Sequence, residues 1–456
     1  MPTVINPATG KTIRDLPWHT STEVEAKLTA ARDAYGQWRD YSFKQRAECL
    51  KAVAAQLRKD RERHAALMIE EMGKPVREAR GEVDKTAWCC EHFADHAEQY
   101  LASEEIPSDA TRSWVQYLPL GTVLGILPWN SPYWLASRVF APALMAGNTV
   151  VIKHDPHVPG CAAAIEEAFA DAGAPHGLLQ TLRIDNEATG NVLRDRRIQA
   201  VSFTGSTRGG RAVSALAGEL VKPAVLELGG SDPAVVLADA DIRAAVDTIA
   251  TSRFICAGQS CIAAKRILVE QPVYDEFLKA FRGRLEGLKV GDPTSEDTDI
   301  GPLARAEIRD DLHRQVSESI AQGARCVLGG DLPDGPGCFY PVTLLADVPR
   351  TAPAFTEETF GPVAALAPVA DIDEALEVAN DTQYGLAASL WTTAERGTSL
   401  AQRFEVGQVA VNGIVKTDPR LPSGGVKMSG YGRELGPHGI HEFVNAQQVW
   451  SGPKRD

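Results

Sequence analysis

Hydrophobic and polar positions fall into two regimes along this chain. Before about residue 101, apolar residues recur at helical spacing. The first helix opens at Thr20-x-x-Glu23, where a threonine and a glutamate three residues on can cap each other's backbone, and it runs to about Trp38. A longer helical region covers about Phe43 to Met72 and stops at Gly73-Lys74-Pro75; another covers about Val76 to Leu101. Ser113 to Leu118 alternates apolar and polar residues, as a half-exposed strand does. From residue 123 the pattern becomes short apolar runs separated by amphipathic stretches. Strands are expected at Val123–Leu127, Thr149–Lys153, Leu178–Leu182, Ala200–Thr204 and Ala224–Leu228. Between them lie helices at about Tyr133–Met145, Pro159–Ala172 and Asn186–Arg194, and one entered through Gly205-Ser206-Thr207. Such alternation implies a parallel sheet covered on both faces. It restarts after Gly229-Gly230 with Ala234–Leu237, a helix from Ile242, Arg266–Val269 and a helix to Leu288, so a domain boundary is placed near Gly229-Gly230. The tail Val444–Ser451 reads as an edge strand able to pair with another subunit.

Parallel sheets bind ligands at the carboxyl ends of their strands. Asn130, Lys153, Gly205 and Glu227 all lie at or just past such an end. Glu227 stands in an apolar strand, where a carboxylate is costly to bury; it is either ion-paired or held as a general base. Asn130, in Trp129-Asn130-Ser131-Pro132, is an Asx-turn residue or a donor to a developing oxyanion. Gly205-Ser206-Thr207 opening a helix is a candidate phosphate seat. Lys153 is either a surface charge or a contact to ribose or phosphate. Ala257-Gly258-Gln259-Ser260-Cys261 is a small, flexible run ending in a thiol. A single cysteine is ordinarily a small buried hydrophobe. Here Cys261 is the candidate nucleophile, and the first turn of a following helix would favour its thiolate.

Composition narrows the classes. A chain of 456 residues exceeds one ordinary core, so two or three domains are expected. A net charge of −13 leaves no basic surplus for nucleic acid. Met1–Gly10 has neither a basic start nor an apolar core, and no stretch approaches the roughly 18 apolar residues that span a bilayer. The eight cysteines have neither zinc spacing nor the density of a disulfide framework. A cytoplasmic enzyme without a metal or a membrane partner is expected.

PWNSP (128–132), FTGST (203–207), LELGGSDP (226–233), GQSC (258–261) and EETFGPV (357–363) occur in the order found in aldehyde dehydrogenases, and the chain resembles that superfamily over nearly its whole length. KHDPHVPGC (153–161), LELGGSDP and GQSCIAAKR look most like the bacterial succinate-semialdehyde branch. The resemblance implies an α/β fold. A Rossmann-type cofactor domain would take residues 1–103 and 120–229, and an α/β catalytic domain 230–428. A small β oligomerisation element would combine 104–119 with 440–456 in a homodimer or homotetramer. It also implies NAD(P)-dependent oxidation of an aldehyde, such as an ω-oxo acid, through a cysteine thiohemiacetal and thioester. In that scheme Cys261 attacks, Asn130 and the Cys261 N–H hold the oxyanion, and Glu227 activates water. Gly205 and Ser206 match pyrophosphate contacts, Trp129 and Lys153 line the cofactor cleft, and Leu228 lies under the nicotinamide. Glu358 matches the ligand of the nicotinamide ribose, with Phe360 beside the ring.

Several positions depart from the family pattern. Ser131 replaces a usual Phe, and Ser423 stands where PFGG is usual, so a wider or more polar entrance is expected, with longer or bulkier aldehydes as the alternative substrates. Arg138, eight residues after Asn130, matches an arginine that grips a distal carboxylate; otherwise it is a surface ion pair. Ile255 stands where some members carry a second such arginine, and Ser260 precedes the thiol on the substrate side. Pro156 replaces a glutamate typical of NAD-preferring members, which favours NADP, with NAD as the alternative; Asp155 beside it would oppose a 2′-phosphate. Cys256 is read as a packing residue, with a redox partnership to Cys261 as the alternative. The rival from another class is a cysteine-dependent ester or thioester hydrolase, which leaves Lys153, Ser206 and Glu358 without a role.

Overall fold

The computed structural model describes residues 3–452. Its first helix is Ser21–Trp38, and the capping box is present: Thr20 accepts from the Glu23 N–H, and the Glu23 carboxylate accepts from the Thr20 N–H at 2.7 Å. The single helical region expected over residues 43–72 is two helices, Phe43–Lys59 and Arg61–Met72, divided at Asp60. Apolar spacing continues across that bend, so periodicity alone does not reveal it. Gly73 ends the second helix at φ +75°; a Cβ there would lie 2.6 Å from Pro302 Cγ, so both the turn and the packing demand glycine. Helix Val76–Tyr100 follows.

Two large sheets carry the molecule. The first has six strands in the order Gly430–Tyr431, Ala224–Glu227, Ile198–Thr204, Thr122–Leu127, Thr149–His154 and Leu179–Thr181. All its pairs are parallel except that of Gly430–Tyr431 with Ala224–Glu227. Thr122–Leu127 and Thr149–His154 are buried at every position, as a doubly covered parallel sheet requires. The second sheet has seven strands in the order Arg325–Leu328, Thr343–Ala346, Val363–Val369, Arg266–Glu270, Pro233–Val236, Ala387–Trp391 and Gln408–Val411. Only its first pair is antiparallel.

A third sheet orders Val444–Ser451, Arg112–Pro119 and Glu104–Glu105. The tail strand pairs in full register with its own chain, from Val444 opposite Pro119 to Ser451 opposite Arg112. It is therefore an edge strand whose inner partner is intramolecular. The strand-end placement expected for the site holds: Glu227 closes its strand, Lys153 is the penultimate residue of its own, and Asn130 and Gly205 follow theirs within three residues.

Candidate active site

Cys261 follows a tight 3-10 turn, Ile255–Gly258, in which Cys256 and Ala257 take φ of 54° and 52°. Left-handed backbone at residues with a Cβ costs about 1–3 kcal/mol each, so the surroundings must impose it. They do. The buried Arg253 guanidinium donates to the carbonyls of Gly258, Thr359, Gly361 and Val363, and the Cys256 N–H donates to Glu78 Oε2 at 2.8 Å. Gly258 lies so close to the Gly361 carbonyl that a Cβ would come within 2.2 Å. The turn thus delivers Cys261 from a fixed platform.

No helix follows Cys261; the chain passes through a turn into strand Arg266–Glu270, which corrects the expected helix-dipole assistance. Burial instead pushes the thiol up to about 11, with Lys265 and Arg138 pulling down and Glu227 and Glu358 adding to the rise. At neutral pH the sulfur carries its proton, so attack on a carbon requires a nearby acceptor for it.

The Asn130 amide donates to the Gln259 carbonyl at 3.0 Å, tying it to the cysteine loop. Its turn is clamped by buried Lys74, whose Nζ donates to Asn130 O at 2.8 Å and Ser131 Oγ at 3.2 Å. Lys74 is ion-paired with Glu82, whose other oxygen accepts the Tyr133 and Trp134 N–H groups at the start of helix Pro132–Met145. Cation, carboxylate and helix terminus compensate one another, which allows two charges to be buried beside the site. Asn130→Ala is expected to lower kcat about 10²–10³-fold with little change in KM, measured by steady-state kinetics, because the donor acts on charge that develops only in the transition state.

Glu227 does not stand alone in its strand. Its Oε2 accepts from Arg138 at 3.0 Å, and Arg138 is also ion-paired with the fully buried Glu434. One guanidinium serves two buried carboxylates. Burial pushes Glu227 up to about 7; Arg138 opposes the shift and Glu434 adds to it. Glu227 Oε1 is buried without a hydrogen-bond partner, an open acceptor for a proton. Arg138 itself is 2% exposed, so the surface ion pair entertained for it is corrected to an interior one.

A cavity of about 360 Å³ is lined by Cys261, Asn130, Ser131, Arg138, Ile255 and Ser260, together with Lys85, Trp134 and the loop Ile414–Thr417. Its size lies at the small end of ligand sites. Glu227 is not in this lining; it is joined to it through Arg138. Ser423 is not in it either. It is 1% exposed, and its hydroxyl accepts from Arg138 at 3.3 Å, so it supports the ion pair instead of widening the entrance. Ser131 does line the cavity, with its hydroxyl taken by Lys74.

Beside the first sheet, Ser206 caps helix Thr207–Glu219, accepting from the Gly209 N–H at 3.2 Å, and Gly205 donates to the Glu227 carbonyl at 3.0 Å. Leu228 presses on Gly210, where a Cβ would lie 2.4 Å from Leu228 Cδ2. Glu358 accepts from the Gly230 N–H at 3.1 Å and pairs with Lys265 at 3.5 Å. Phe360 meets Trp129 edge-on at 5.8 Å. Lys153 is buried, which lowers its pKa, and the buried Thr204 hydroxyl has no partner. A helix N-terminus capped only by Ser206, a lysine and an unpaired hydroxyl, all at the carboxyl ends of strands of the first sheet, fit a dinucleotide. A second cavity, of about 370 Å³, holds Pro156 and Asp155 with His19, Lys27 and Arg183. Asp155 accepts from the His157 backbone N–H and bonds its ring nitrogen at 2.7 Å. Among the described residues no cluster of metal-ligating side chains occurs, and no helix is long and apolar enough to cross a membrane.

Sequence reasoning did not find the roles of Glu434, the Lys74–Glu82 pair or Lys85. Glu434 follows Ser429-Gly430-Tyr431-Gly432-Arg433, and nothing in its spacing points to Arg138, nearly 300 residues away.

A thiol and an amide donor in one cavity, a buried carboxylate beside them and strand ends that fit a dinucleotide are the parts of a nucleotide-dependent oxidoreductase. The profile described as "Aldehyde dehydrogenase family" matches residues 2–449, and the chain belongs to the aldehyde dehydrogenase family. It is 47% identical to a probable succinate-semialdehyde dehydrogenase (NADP(+)) of Synechocystis sp., covering 98% of each chain. It is 44% identical to the succinate semialdehyde dehydrogenase (NAD(P)+) Sad of Escherichia coli (strain K12), covering 98% of this chain and 97% of that one. The crystal structure of succinic semialdehyde dehydrogenase from Streptococcus pyogenes in complex with NADP+ superposes with a TM-score of 0.96 at 34% identity, covering 99% and 100%. The expected fold class and enzyme class are thereby confirmed.

Proposed function

We propose that this enzyme oxidises a short ω-oxo acid of the succinate semialdehyde type to the dicarboxylate, with NADP+ preferred and NAD+ accepted. The observation that carries the reading is the cavity that joins Cys261 and Asn130 to cationic side chains, in a chain 47% identical to a relative bearing that name. The Cys261 thiol gives its proton to water in the cavity, and the sulfur adds to the aldehyde carbon as the carbonyl π pair moves onto oxygen. The oxyanion is held by the Asn130 amide and the Cys261 N–H. Bound nicotinamide dinucleotide supplies the hydride acceptor, leaving the acyl group on sulfur as a thioester. Water that gives its proton to Glu227 hydrolyses the thioester and frees the thiol. Glu227 in this role argues against transfer of the acyl group to coenzyme A.

Residues at the first sheet are assigned to the nucleotide: the helix N-terminus at Gly205-Ser206 to the pyrophosphate, Lys153 and Glu358 to ribose hydroxyls, and Leu228 and Phe360 to the nicotinamide. The NADP+ preference is supported by Pro156 standing in place of an acidic side chain, by the NADP(+) in the name of the Synechocystis relative, and by the engagement of Asp155 with His157; the cavity there mixes Lys27 and Arg183 with Glu166 and Glu167, and Glu166 is paired to Lys27 at 2.6 Å. On this reading the six-stranded unit serves the cofactor and the seven-stranded unit supplies the thiol. The three-stranded sheet, with Ile106, Leu118 and Trp450 exposed on it or beside it, builds a homodimer or homotetramer. A cytoplasmic setting agrees with eight free cysteines.

The test is formation of reduced nicotinamide with each nucleotide over a panel of aldehydes graded by length and terminal carboxylate. Succinate semialdehyde is expected to exceed butanal in kcat/KM by at least about tenfold, equivalent to about 1.4 kcal/mol. Equal values, or a better reaction with longer or uncharged aldehydes, would overturn the substrate assignment. The hydrolase reading and the bulky-aldehyde reading gain no support from the relatives.

A further inference from the structure

We propose that Lys85 is the side chain that receives the substrate's distal carboxylate, an assignment that rests on the oxo-acid reading above. Four cationic side chains line the Cys261 cavity: Lys74, Lys85, Arg138 and Lys416. Lys74 is paired with Glu82 and committed to the Asn130 turn. Arg138 is shared between Glu227 and Glu434. Lys416 is exposed on the rim loop. Lys85 alone combines partial burial with no salt bridge to any described residue; its Nζ donates to Thr417 Oγ1 at 3.0 Å and sits 4.0 Å from the centre of the Trp134 ring.

That geometry is a prepared anion seat. Thr417 Oγ1 also accepts from Trp134 Nε1 at 2.9 Å, so indole, hydroxyl and ammonium hold one another in place. An ammonium has three N–H donors, and only one is spent on protein. The Trp134 face stabilises the cation without neutralising it. On the same helix, Glu78, Gly81, Glu82 and Lys85 share the face that lines the cavity, and a Cβ at Gly81 would meet nothing within 4 Å, so space is open one turn from Lys85. Burial of Lys85 disfavours its charge, bringing it down to about 8. Arg138 on the facing helix lowers it further, while Glu82 and Cys89 on its own helix and Asp418 on the neighbouring loop raise it. A carboxylate arriving from solvent supplies the counter-charge that the protein withholds.

The experiment compares steady-state kinetics of succinate semialdehyde and butanal in the full-length wild type, Lys85→Met and Lys85→Arg. Lys85→Met is expected to raise KM for the oxo acid about 30-fold, the usual worth of a charged hydrogen bond, and to change KM for butanal at least about tenfold less. Lys85→Arg retains most of the preference. In the wild type, the ratio of kcat/KM for oxo acid over butanal falls as pH rises through about 8, because the ammonium loses its proton; in Lys85→Met the ratio is flat. Equal loss on both substrates, or an unchanged oxo-acid KM, overturns the assignment and returns the role to Arg138. A wild type without preference for the oxo acid removes the substrate reading and this proposal together. A wild-type preference that Lys85→Met keeps removes this proposal alone.

Discussion

Cys261→Ala is expected to lower aldehyde oxidation by at least about 10⁴-fold, since loss of an attacking atom removes the covalent route altogether. The fold should survive. Cys261 lines a cavity, and the turn before it is fixed by Arg253 and Glu78 rather than by the sulfur. Nucleotide binding should survive as well, because the residues assigned to it lie on other elements. Three measurements separate these effects: initial rates, titration of NADP+ by fluorescence, and thermal unfolding. An alanine variant that keeps more than about a hundredth of the rate would mean that another group attacks, and Cys256 would be the first to examine. Its thiol is held up to about 12 by burial and directed at the Asn130 carbonyl at 3.5 Å, which makes it a poor substitute. The Cys261 thiol also sits high, at about 11. Alkylation by iodoacetamide should therefore be slow at neutral pH in the free enzyme and accelerate with alkali. Fast labelling at pH 7 would show that the thiol is ionised in the free enzyme despite its burial.

Much of this arrangement could be read before any coordinates. The strand ends at Asn130, Lys153, Gly205 and Glu227 follow from apolar runs of fixed length bounded by Gly and Pro, because burial on both faces leaves no room for polar positions inside a parallel strand. The capping box at Thr20 and the stop at Gly73 are local signals and fall where expected. What could not be read is long-range pairing. Glu227 offered two readings, ion pair or base; the structure shows the ion pair, to Arg138 through one oxygen, and leaves the other oxygen without a partner. Arg138 reads from sequence as a hand for the substrate, and its ion pairs to positions 227 and 434, which no helical or strand spacing connects to it, come from the structure alone. Ser423 looked like a missing aromatic wall; only the return of Ser423 and Glu434 as a bridged pair places its hydroxyl on Arg138. The helix expected after Cys261 is overridden by sheet pairing. Ile262-Ala263-Ala264 favours helix, but the Lys265 and Arg266 N–H groups both donate to the Asp232 carbonyl, and sheet pairing wins.

Glu227→Gln is the second large effect, and it should divide the reaction in two. Attack and hydride departure do not need the carboxylate to activate water, so the first turnover should still release a burst of reduced nicotinamide close to one per active site. Steady turnover should then fall about 10²–10⁴-fold as the thioester persists, the usual range for losing a general base. Rapid mixing reads both phases; loss of the burst together with turnover would place Glu227 at the first step, as the acceptor of the Cys261 proton. The pH dependence carries an independent sign. A general base works ionised, and burial raises Glu227 to about 7, so wild-type deacylation should decline as pH drops below 7. For stability the sign is opposite. A carboxyl raised from its ordinary 4.5 to about 7 binds its proton more tightly folded than unfolded, so its contribution is present below 4.5 and is lost as pH rises through 7. The glutamine variant removes that loss and leaves Arg138 to pair with Glu434 alone, so above pH 7 it should unfold at or above the wild-type temperature. Arg138→Met acts in the other direction. It strands two carboxylates without a cation, costs about 3–5 kcal/mol, and moves the acid limb of deacylation to higher pH because the charge that opposed the rise is gone. An acid limb that stays near 7 in that variant would mean that Arg138 does not set the protonation of the base, and the shared guanidinium would be structural only.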